Sequence, residues 1–137
     1  MSLDAYPVVT PIQVRFRDLD SLGHVNNAVY LTYLELARIQ YLDRLKLDTL
    51  RPSIVVARIE IDYLRPILLG EEVAVGVRVT SIGNKSFRME YGIAAGQELA
   101  ARATSVQVWL EAGRPAPVPT AVREAIQRLE RLPVQGR

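Results

Sequence analysis

The sequence has no cysteine and a single histidine among its 137 residues. Without cysteine, the chain can form neither a disulfide bond nor a thiolate metal site, and a cysteine nucleophile is excluded. One histidine is too few for an ordinary zinc site, so we predict no metal. The lack of cysteine agrees with a reducing compartment, and we expect a cytoplasmic location.

Long apolar runs and a large net charge are also missing. The 17 Lys+Arg and 15 Asp+Glu residues leave a formal charge of +2, without the basic runs that favour nucleic-acid binding. No apolar run approaches the roughly 18 residues of a membrane span, and the N-terminus does not resemble a signal peptide. We therefore expect neither a nucleic-acid partner nor a membrane partner.

Several common catalytic motifs are absent as well. The sequence contains no G-x-S-x-G, no P-loop and no G-x-G-x-x-G after a strand, which disfavours a serine hydrolase elbow and nucleotide-binding folds. Hydrophobic residues make up 49% of the chain and charged residues 23%, as in globular proteins. We predict one domain over residues 1–137.

The periodicity of apolar residues changes twice along the chain. A first strand is predicted from Val8 to Arg17, and a long helix from Asn26 or Asn27 to about Leu47. The first half of this helix is apolar nearly all round, which is typical of a helix surrounded by protein. A period of two from Ile54 onward then predicts strands.

Four strands and a second helix complete the pattern. The strands are predicted from the alternating sets Val55 to Tyr63, Val73 to Val79, Phe87 to Ile93 and Thr104 to Leu110. Gly83 to Lys85 is a hairpin signal. A short amphipathic helix, Ala121 to Leu132, follows with Thr120 as its cap.

This order predicts an α+β fold with a five-stranded antiparallel sheet. One long helix cannot cover both faces of such a sheet, and the edge strands need protection. We therefore expect a homo-oligomer.

Polar residues concentrate between the first strand and the long helix. Asp18 and Asp20 lie in the connection, and His24, Asn26 and Asn27 lie at the helix entrance. A helix start carries unbonded N–H groups that can hold an oxyanion, and a nearby carboxylate can act as nucleophile or as general base. We assign this chemistry to Asp20 and expect Asp18 to be structural, paired with Arg15 or Arg17.

A thioester suits so small a set of groups. A thiol with a pKa near 8.5 leaves as thiolate without a strong general acid, whereas an amide would need protonation of its leaving amine. The sequence therefore favours an activated acyl substrate.

The string "VRFRDLDSLGHVNNAVYLTYLELARIQYL", Val14 to Leu42, resembles the hotdog-fold thioesterases, specifically the 4-hydroxybenzoyl-CoA thioesterase-like acyl-CoA thioesterases. Further support comes from "IEIDYLRPILLGEEV", "GNKSF" and "PAPVPTAVREAI", so the resemblance covers nearly the whole chain. It implies a five-stranded antiparallel sheet wrapped around one long central helix. It also implies dimers that join sheets edge to edge, frequent tetramers, and active sites at the dimer interface.

The resemblance also implies roles for particular residues. Asp20 matches the catalytic carboxylate, and Asn27 matches the helix-start amide that polarises the thioester carbonyl. His24 and Asn26 belong to the same H-V-N-N string. At the hairpin, Lys85 and Ser86 match positions that approach the CoA nucleotide in the family. Gly83 and Asn84 precede them, where some members of the family have arginines.

We therefore predict an acyl-CoA thioesterase, active as a homodimer or homotetramer. No cofactor is expected, because CoA is part of the substrate. A hydratase or dehydratase of acyl thioesters and a non-catalytic acyl-CoA-binding module are the alternatives. The acyl chain, the choice between CoA and acyl carrier protein, and the nucleophilic or general-base role of Asp20 stay open.

Overall fold

The computed structural model describes residues 3–47 and 53–136. Two helices and five long strands form the body of the fold. In chain order these elements are β1 Val8–Ile12, α1 Val29–Arg44, β2 Ile54–Tyr63, β3 Val73–Ile82, β4 Ser86–Ala95, β5 Glu98–Glu111 and α2 Thr120–Leu129.

Within those residues the sheet contains seven strands rather than the predicted five. The long strands are antiparallel in the order β1-β3-β4-β5-β2. The additional strands have two residues each: β6, Arg114–Pro115, pairs with β5, and β7, Gln135–Gly136, pairs in parallel with β3. Sequence periodicity missed them because two residues are too short to show an alternation.

Strands β3 and β4 bury the side chains that the alternation predicted. The buried residues are Val73, Val75, Val77, Val79, Phe87, Met89, Tyr91 and Ile93. In β5, Val106 and Val108 do share one face, but that face is only half-buried. The opposite face carries Ser105 and Gln107 into the core.

Hydrogen bonds allow these polar side chains to lie in the core. The Tyr91 hydroxyl and Ser105 Oγ are 2.6 Å apart, and Ser105 in turn donates to Gln107. Gln107 Nε2 donates to the Phe87 carbonyl at 3.1 Å, and Arg38 of α1 donates to the Tyr91 hydroxyl at 3.1 Å. A continuous polar chain therefore links the helix to the inner face of the sheet.

A bulge divides strand β2. Its pairing with β5 shifts register between Val56 and Arg58, so Ala57 is the extra residue. Val56 and Ile59 are half-buried on either side of the bulge, whereas Val55 is exposed. The predicted uninterrupted alternation from Val55 to Tyr63 is therefore wrong at this point.

Helix α1 is shorter than predicted at both ends. The chain makes a turn at residues 26–28, in which the Val29 N–H donates to the Asn26 carbonyl at 2.9 Å, before the helix begins. It ends at Arg44 because Lys46 adopts the left-handed region, with φ of 54°. Neither end is visible in the apolar spacing, which continues on both sides.

One face of α1 packs on β1 and β3, and the other is exposed in the single chain. Tyr30, Leu34 and Tyr41 are buried against the sheet. Leu36 and Ile39, on the outer face, remain 44% and 53% exposed. The apolar first half of α1 is thus surrounded by protein on one side only. None of the helices in the described residues is long and apolar enough to cross a membrane.

Helix α2 begins at Thr120, with Pro119 rather than Thr120 at the cap position, and ends at Leu129. Its last turn is tied to the core by Glu130. This carboxylate accepts hydrogen bonds from the Tyr41 hydroxyl at 2.5 Å and the Val79 N–H at 2.8 Å. The predicted extension to Leu132 fails because Glu130 leaves the helical region to make these contacts.

The connection between β1 and α1 is organised by Asp18. The strand ends at Ile12, not at Arg17, and a 3₁₀ turn occupies Phe16–Asp18. Asp18 is 1% exposed. Its carboxylate accepts bonds from the backbone and guanidinium of Arg15 at 2.9 to 3.1 Å and from the Tyr33 hydroxyl at 2.8 Å. The structural role predicted for Asp18 is confirmed in this geometry, with Arg15 as its partner.

Replacing Asp18 with Asn should destabilise the fold. Burial works to raise the pKa of Asp18, but the Arg15 and Tyr33 bonds outweigh it and lower that pKa. Loss of these charge-assisted bonds should cost about 2–4 kcal/mol of unfolding free energy at neutral pH. Because a lowered pKa contributes stability above the unfolded value, the difference should shrink as the pH falls.

Urea unfolding followed by circular dichroism would measure this effect. Asp43→Asn, at an exposed position of α1, is the matched control and should change stability by less than about 0.5 kcal/mol. Equal stability of the wild type and Asp18→Asn at pH 7 would contradict the role of Asp18.

Candidate active site

Asp20 lies in a tight turn that fixes its carboxylate. The turn closes through Gly23, whose N–H donates to the Asp20 carbonyl at 3.1 Å and whose φ of 83° favours glycine. Asp20 Oδ1 accepts hydrogen bonds from the Leu22 N–H at 2.9 Å and the His24 N–H at 3.1 Å. Its other oxygen, Oδ2, has no hydrogen bond within the part of the chain that the structure describes.

These backbone bonds keep Asp20 ionised. The His24 N–H, and then the Leu22 N–H, hold the pKa of the Asp20 carboxyl below its usual value. Asp20 is thus a carboxylate with one oxygen held by the turn and one oxygen available. That arrangement suits a nucleophile or a general base.

His24 is connected to Asp20 through its backbone. Its N–H donates to the Asp20 carboxylate, and its carbonyl accepts the Asp20 N–H at 2.7 Å. His24 also forms an isolated antiparallel bridge with Leu68. The orienting contact between His24 and Asp20 is therefore made by the main chain, and both residues line the same cleft.

The two asparagines differ in what they do. Asn26 is not the N-cap residue of α1, because Ala28 occupies that position without a side-chain cap bond. Asn26 Oδ1 instead accepts the Ala28 N–H at 2.9 Å within the turn before the helix. The Asn27 side chain makes no such bond within residues 3–47 and 53–136. The Asn27 N–H is also without a hydrogen bond there, and Asn27 lines the same cleft as Asp20. The Asn27 N–H is therefore an available hydrogen-bond donor near the helix start, where the sequence predicted one.

The opposite wall comes from the end of β2, which sequence reasoning did not assign to the site. The Tyr63 hydroxyl donates to the Asn27 carbonyl at 3.0 Å. Its ring meets Tyr30 edge-on, with centroids 4.9 Å apart and an interplanar angle of 85°. The available signal was the string "IEIDYLRPILLGEEV", which contains Tyr63 and belongs to the family resemblance.

Arg65 and Glu71 hold the segment that follows Tyr63. Arg65 donates to both Glu71 oxygens, at 3.0 and 2.7 Å, and to the Ala95 carbonyl at 2.7 Å. This bidentate pair lowers the pKa of Glu71. Glu71 also accepts the Leu68 N–H at 2.8 Å, and the Val25 N–H donates to Ile67 at 2.9 Å. The segment is thus attached to the loop that carries Asp20 and His24.

The two walls enclose a cleft of about 270 Å³. One wall is the loop and helix start, and the other is the end of β2 with the residues after it. The lining residues that bear chemistry are Asp20, His24, Asn27, Tyr30, Tyr63 and Arg65. The residues that bear an ionised carboxylate, an unbonded N–H and the one imidazole therefore line one opening.

Lys85 and Ser86 lie elsewhere in the chain. Ser86 begins β4 and Lys85 directly precedes it, whereas Arg65 of the cleft contacts the Ala95 carbonyl at the other end of the strand. At about 3.3 Å per residue, the ten residues of β4 separate the two places by roughly 30 Å. Within a single chain, Lys85 and Ser86 therefore lie at the opposite end of β4 from the Ala95 carbonyl that Arg65 contacts.

Comparison with known proteins identifies the family. The sequence profile of the Thioesterase-like superfamily matches residues 14–126. The chain belongs to this superfamily. Its fold and family are those of thioester hydrolases.

Individual thioesterase relatives agree with this assignment. A crystal structure of a thioesterase from Thermus thermophilus, complexed with coenzyme A and Zn, is 57% identical. The match covers 96% of this chain and 99% of that one, with a TM-score of 0.91.

Two curated relatives are more distant. The uncharacterised protein YsmA of Bacillus subtilis (strain 168) is 33% identical over 82 residues, which are 58% of this chain and 56% of that protein. The chloroplastic acyl-acyl carrier protein thioesterase ATL3 of Arabidopsis thaliana is 27% identical over 82% of this chain and 63% of its own length. The chain thus spans less than two thirds of the length of these two curated relatives.

The crystal structure of the Thermus relative also contains zinc. Among residues 3–47 and 53–136, no group of three His, Cys, Asp or Glu side chains could hold a metal ion. The cleft offers His24 and Asp20, which are two ligands at most.

The titration of Asp20 tests the geometry of this thioesterase-family cleft. Carbon-13 NMR of the Asp carboxyl groups should give Asp20 a pKa below the ordinary value of 3.8, because two N–H groups stabilise its charged form. Asp20→Asn would identify its resonance. A midpoint at or above 3.8 would contradict the turn geometry.

Proposed function

We propose that the chain is an acyl-CoA thioesterase, which converts an acyl-CoA and water into a free carboxylic acid and CoA. One observation carries the proposal: the ionised Asp20 carboxylate, with its available oxygen, shares a cleft with the unbonded Asn27 N–H at the start of α1. Acyl transfer requires both a nucleophile or base and a donor for the developing oxyanion. The coenzyme A bound to the Thermus relative supports this carrier.

In the reaction, the Asn27 N–H holds the thioester oxygen as it gains negative charge. As general base, Asp20 takes a proton from water while the water oxygen bonds to the carbonyl carbon. As nucleophile, Asp20 bonds to that carbon itself, and water then hydrolyses the mixed anhydride. In both routes the C–S bond breaks, and sulfur leaves with the electron pair as CoA thiolate.

Other residues have supporting roles in this proposal. Asn26 fixes the turn before α1, and His24 provides the backbone contacts of Asp20 and lines the same cleft. Lys85 and Ser86 of a second subunit contact the CoA nucleotide. No metal or other cofactor takes part, and the location is cytoplasmic.

Asp20→Asn tests the chemistry directly. The amide can neither attack the thioester nor accept a proton from water, so kcat should fall by at least about 100-fold. The value of kcat is measured as thiol release from a panel of aromatic, short-chain and long-chain acyl-CoA substrates. The same panel also defines the acyl specificity.

Asp43→Asn, exposed on α1, is the matched control and should keep wild-type turnover. Wild-type turnover by a folded Asp20→Asn variant would remove Asp20 from the mechanism. A change in double-bond absorbance without thiol release would instead indicate a hydratase or dehydratase. Tight acyl-CoA binding without either reaction would indicate a binding module.

Acyl carrier protein is the second candidate carrier. The observation that favours it is the Arabidopsis relative, which is named for acyl-acyl carrier protein. Comparing kcat/KM for one acyl group on CoA and on acyl carrier protein decides between the carriers.

The exposed outer face of α1 supports assembly into a homodimer or homotetramer. Ile39 is 53% exposed on this face, and β2, with Val55 49% exposed, pairs on one side only within the described residues. We expect a solution mass that is a multiple of 15.3 kDa. Static light scattering after size exclusion would measure it.

Ile39→Lys should weaken this assembly, because a charge would replace an apolar contact. Leu132→Lys, at a residue 44% exposed near the C-terminal end, is the matched control. A concentration-independent monomer mass of the wild type would contradict the proposed oligomer.

A further inference from the structure

Tyr63 joins the two walls of the cleft through its hydroxyl and its ring. It is the last residue of β2, and its side chain is 45% exposed, so burial alone does not explain its position. The hydroxyl donates to the Asn27 carbonyl at 3.0 Å, and the ring meets Tyr30 at 4.9 Å. These contacts attach the end of a strand to the residue whose N–H is available in the cleft.

The peptide group between Asn27 and Ala28 is held from both sides. Tyr63 donates to its carbonyl oxygen at 3.0 Å, and its N–H donates to Asn26 Oδ1 at 2.9 Å. Because a peptide group is planar, two opposed hydrogen bonds fix the orientation of the whole plane.

The preceding peptide group, between Asn26 and Asn27, is held from one side. Its carbonyl accepts the Val29 N–H at 2.9 Å, while its own N–H, that of Asn27, has no partner in the described residues. The two peptide planes meet at the Asn27 Cα, and only the φ and ψ angles of Asn27 determine their relative orientation. With both planes held, the direction of the Asn27 N–H is set before any ligand arrives.

The Tyr63 hydroxyl also acts on charge. The Asn27 carbonyl carries partial negative charge and belongs to the same residue as the donor. The Asn27 carbonyl oxygen repels the negative charge that develops on the thioester oxygen. A hydroxyl that donates to this carbonyl oxygen partly offsets the repulsion. Donors of this kind accelerate acyl transfer because they are oriented in advance.

We infer that Tyr63 is a positioning residue, which acts through the Asn27 main chain to orient the oxyanion donor; this inference rests on the proposed function. A purely structural Tyr63 would act through its ring, by contact with Tyr30. The two roles separate cleanly in Tyr63→Phe, which keeps the ring and removes only the hydroxyl.

In Tyr63→Phe, kcat for thiol release should fall about 10-fold, because the donor is loosened rather than removed. KM and the affinity for CoA should stay within about twofold, and the midpoint of the pH profile should not move, because Asp20 is untouched. Tyr6→Phe, whose ring packs on Gly76 and Gly92 away from the cleft, is the matched control and should keep wild-type kinetics.

Amide hydrogen exchange gives a readout that does not depend on turnover. Loss of the hydroxyl should speed exchange of the Ala28 N–H about fivefold or more, because that N–H lies in the peptide group that Tyr63 holds. Tyr6→Phe should leave the same amide unchanged.

The inference is overturned if Tyr63→Phe keeps the wild-type exchange rate at Ala28. It is also overturned if kcat is unchanged in an active wild-type background, or if KM rises in proportion to the loss of kcat/KM. Absence of thiol release by the wild type would reject the proposed function, and the exchange rate would still decide whether Tyr63 holds the Asn27 peptide.

Discussion

The cleft depends first on a buried carboxylate that does not line it. Asp18 satisfies the backbone and guanidinium of Arg15 and the hydroxyl of Tyr33, while its own carbonyl accepts the Asn26 N–H at 2.8 Å. Asp18 therefore connects the segment after β1, helix α1 and the turn before α1. Asp20, two positions later, has its carboxylate on the surface turn because Asp18 has already fixed the direction of the chain.

Long-range contacts then complete the site. The order of strands places β2 beside β5, and the residues after β2 return toward the end of β4, where Arg65 meets the Ala95 carbonyl. Arg65 and Glu71, at the cleft edge, form an ion pair with an N–O distance of 2.7 Å, so the charge of this guanidinium is already paired.

Sequence reasoning predicted the parts of the site that are close in sequence. Asp20, His24 and Asn27 meet in one cleft because a single turn and helix start contain them. Tyr63 and Arg65 were missed because their contribution arises from sheet order, which no local pattern encodes.

The same distinction holds for the fold. The order of helices and long strands followed from periodicity, and β3 and β4 bury the predicted residues. Sequence periodicity failed at Ala57, where a bulge adds a residue, and at Ser105 and Gln107, where hydrogen bonds allow polar side chains in the core. The roles of Lys85 and Ser86 remain predictions, because these residues lie at the other end of β4 from the Ala95 carbonyl that Arg65 contacts.

The polar chain from Arg38 through Tyr91 to Ser105 has a mechanical consequence. An all-aliphatic contact between α1 and the sheet would tolerate the helix sliding along its axis by one turn, about 5.4 Å. Such a slide would break the hydrogen bond from Arg38 to Tyr91 and leave the buried Arg38 guanidinium without this partner. These hydrogen bonds therefore fix the position of α1 along its axis. That position determines how far the first turn of α1 projects, and with it where the Asn27 amide lies.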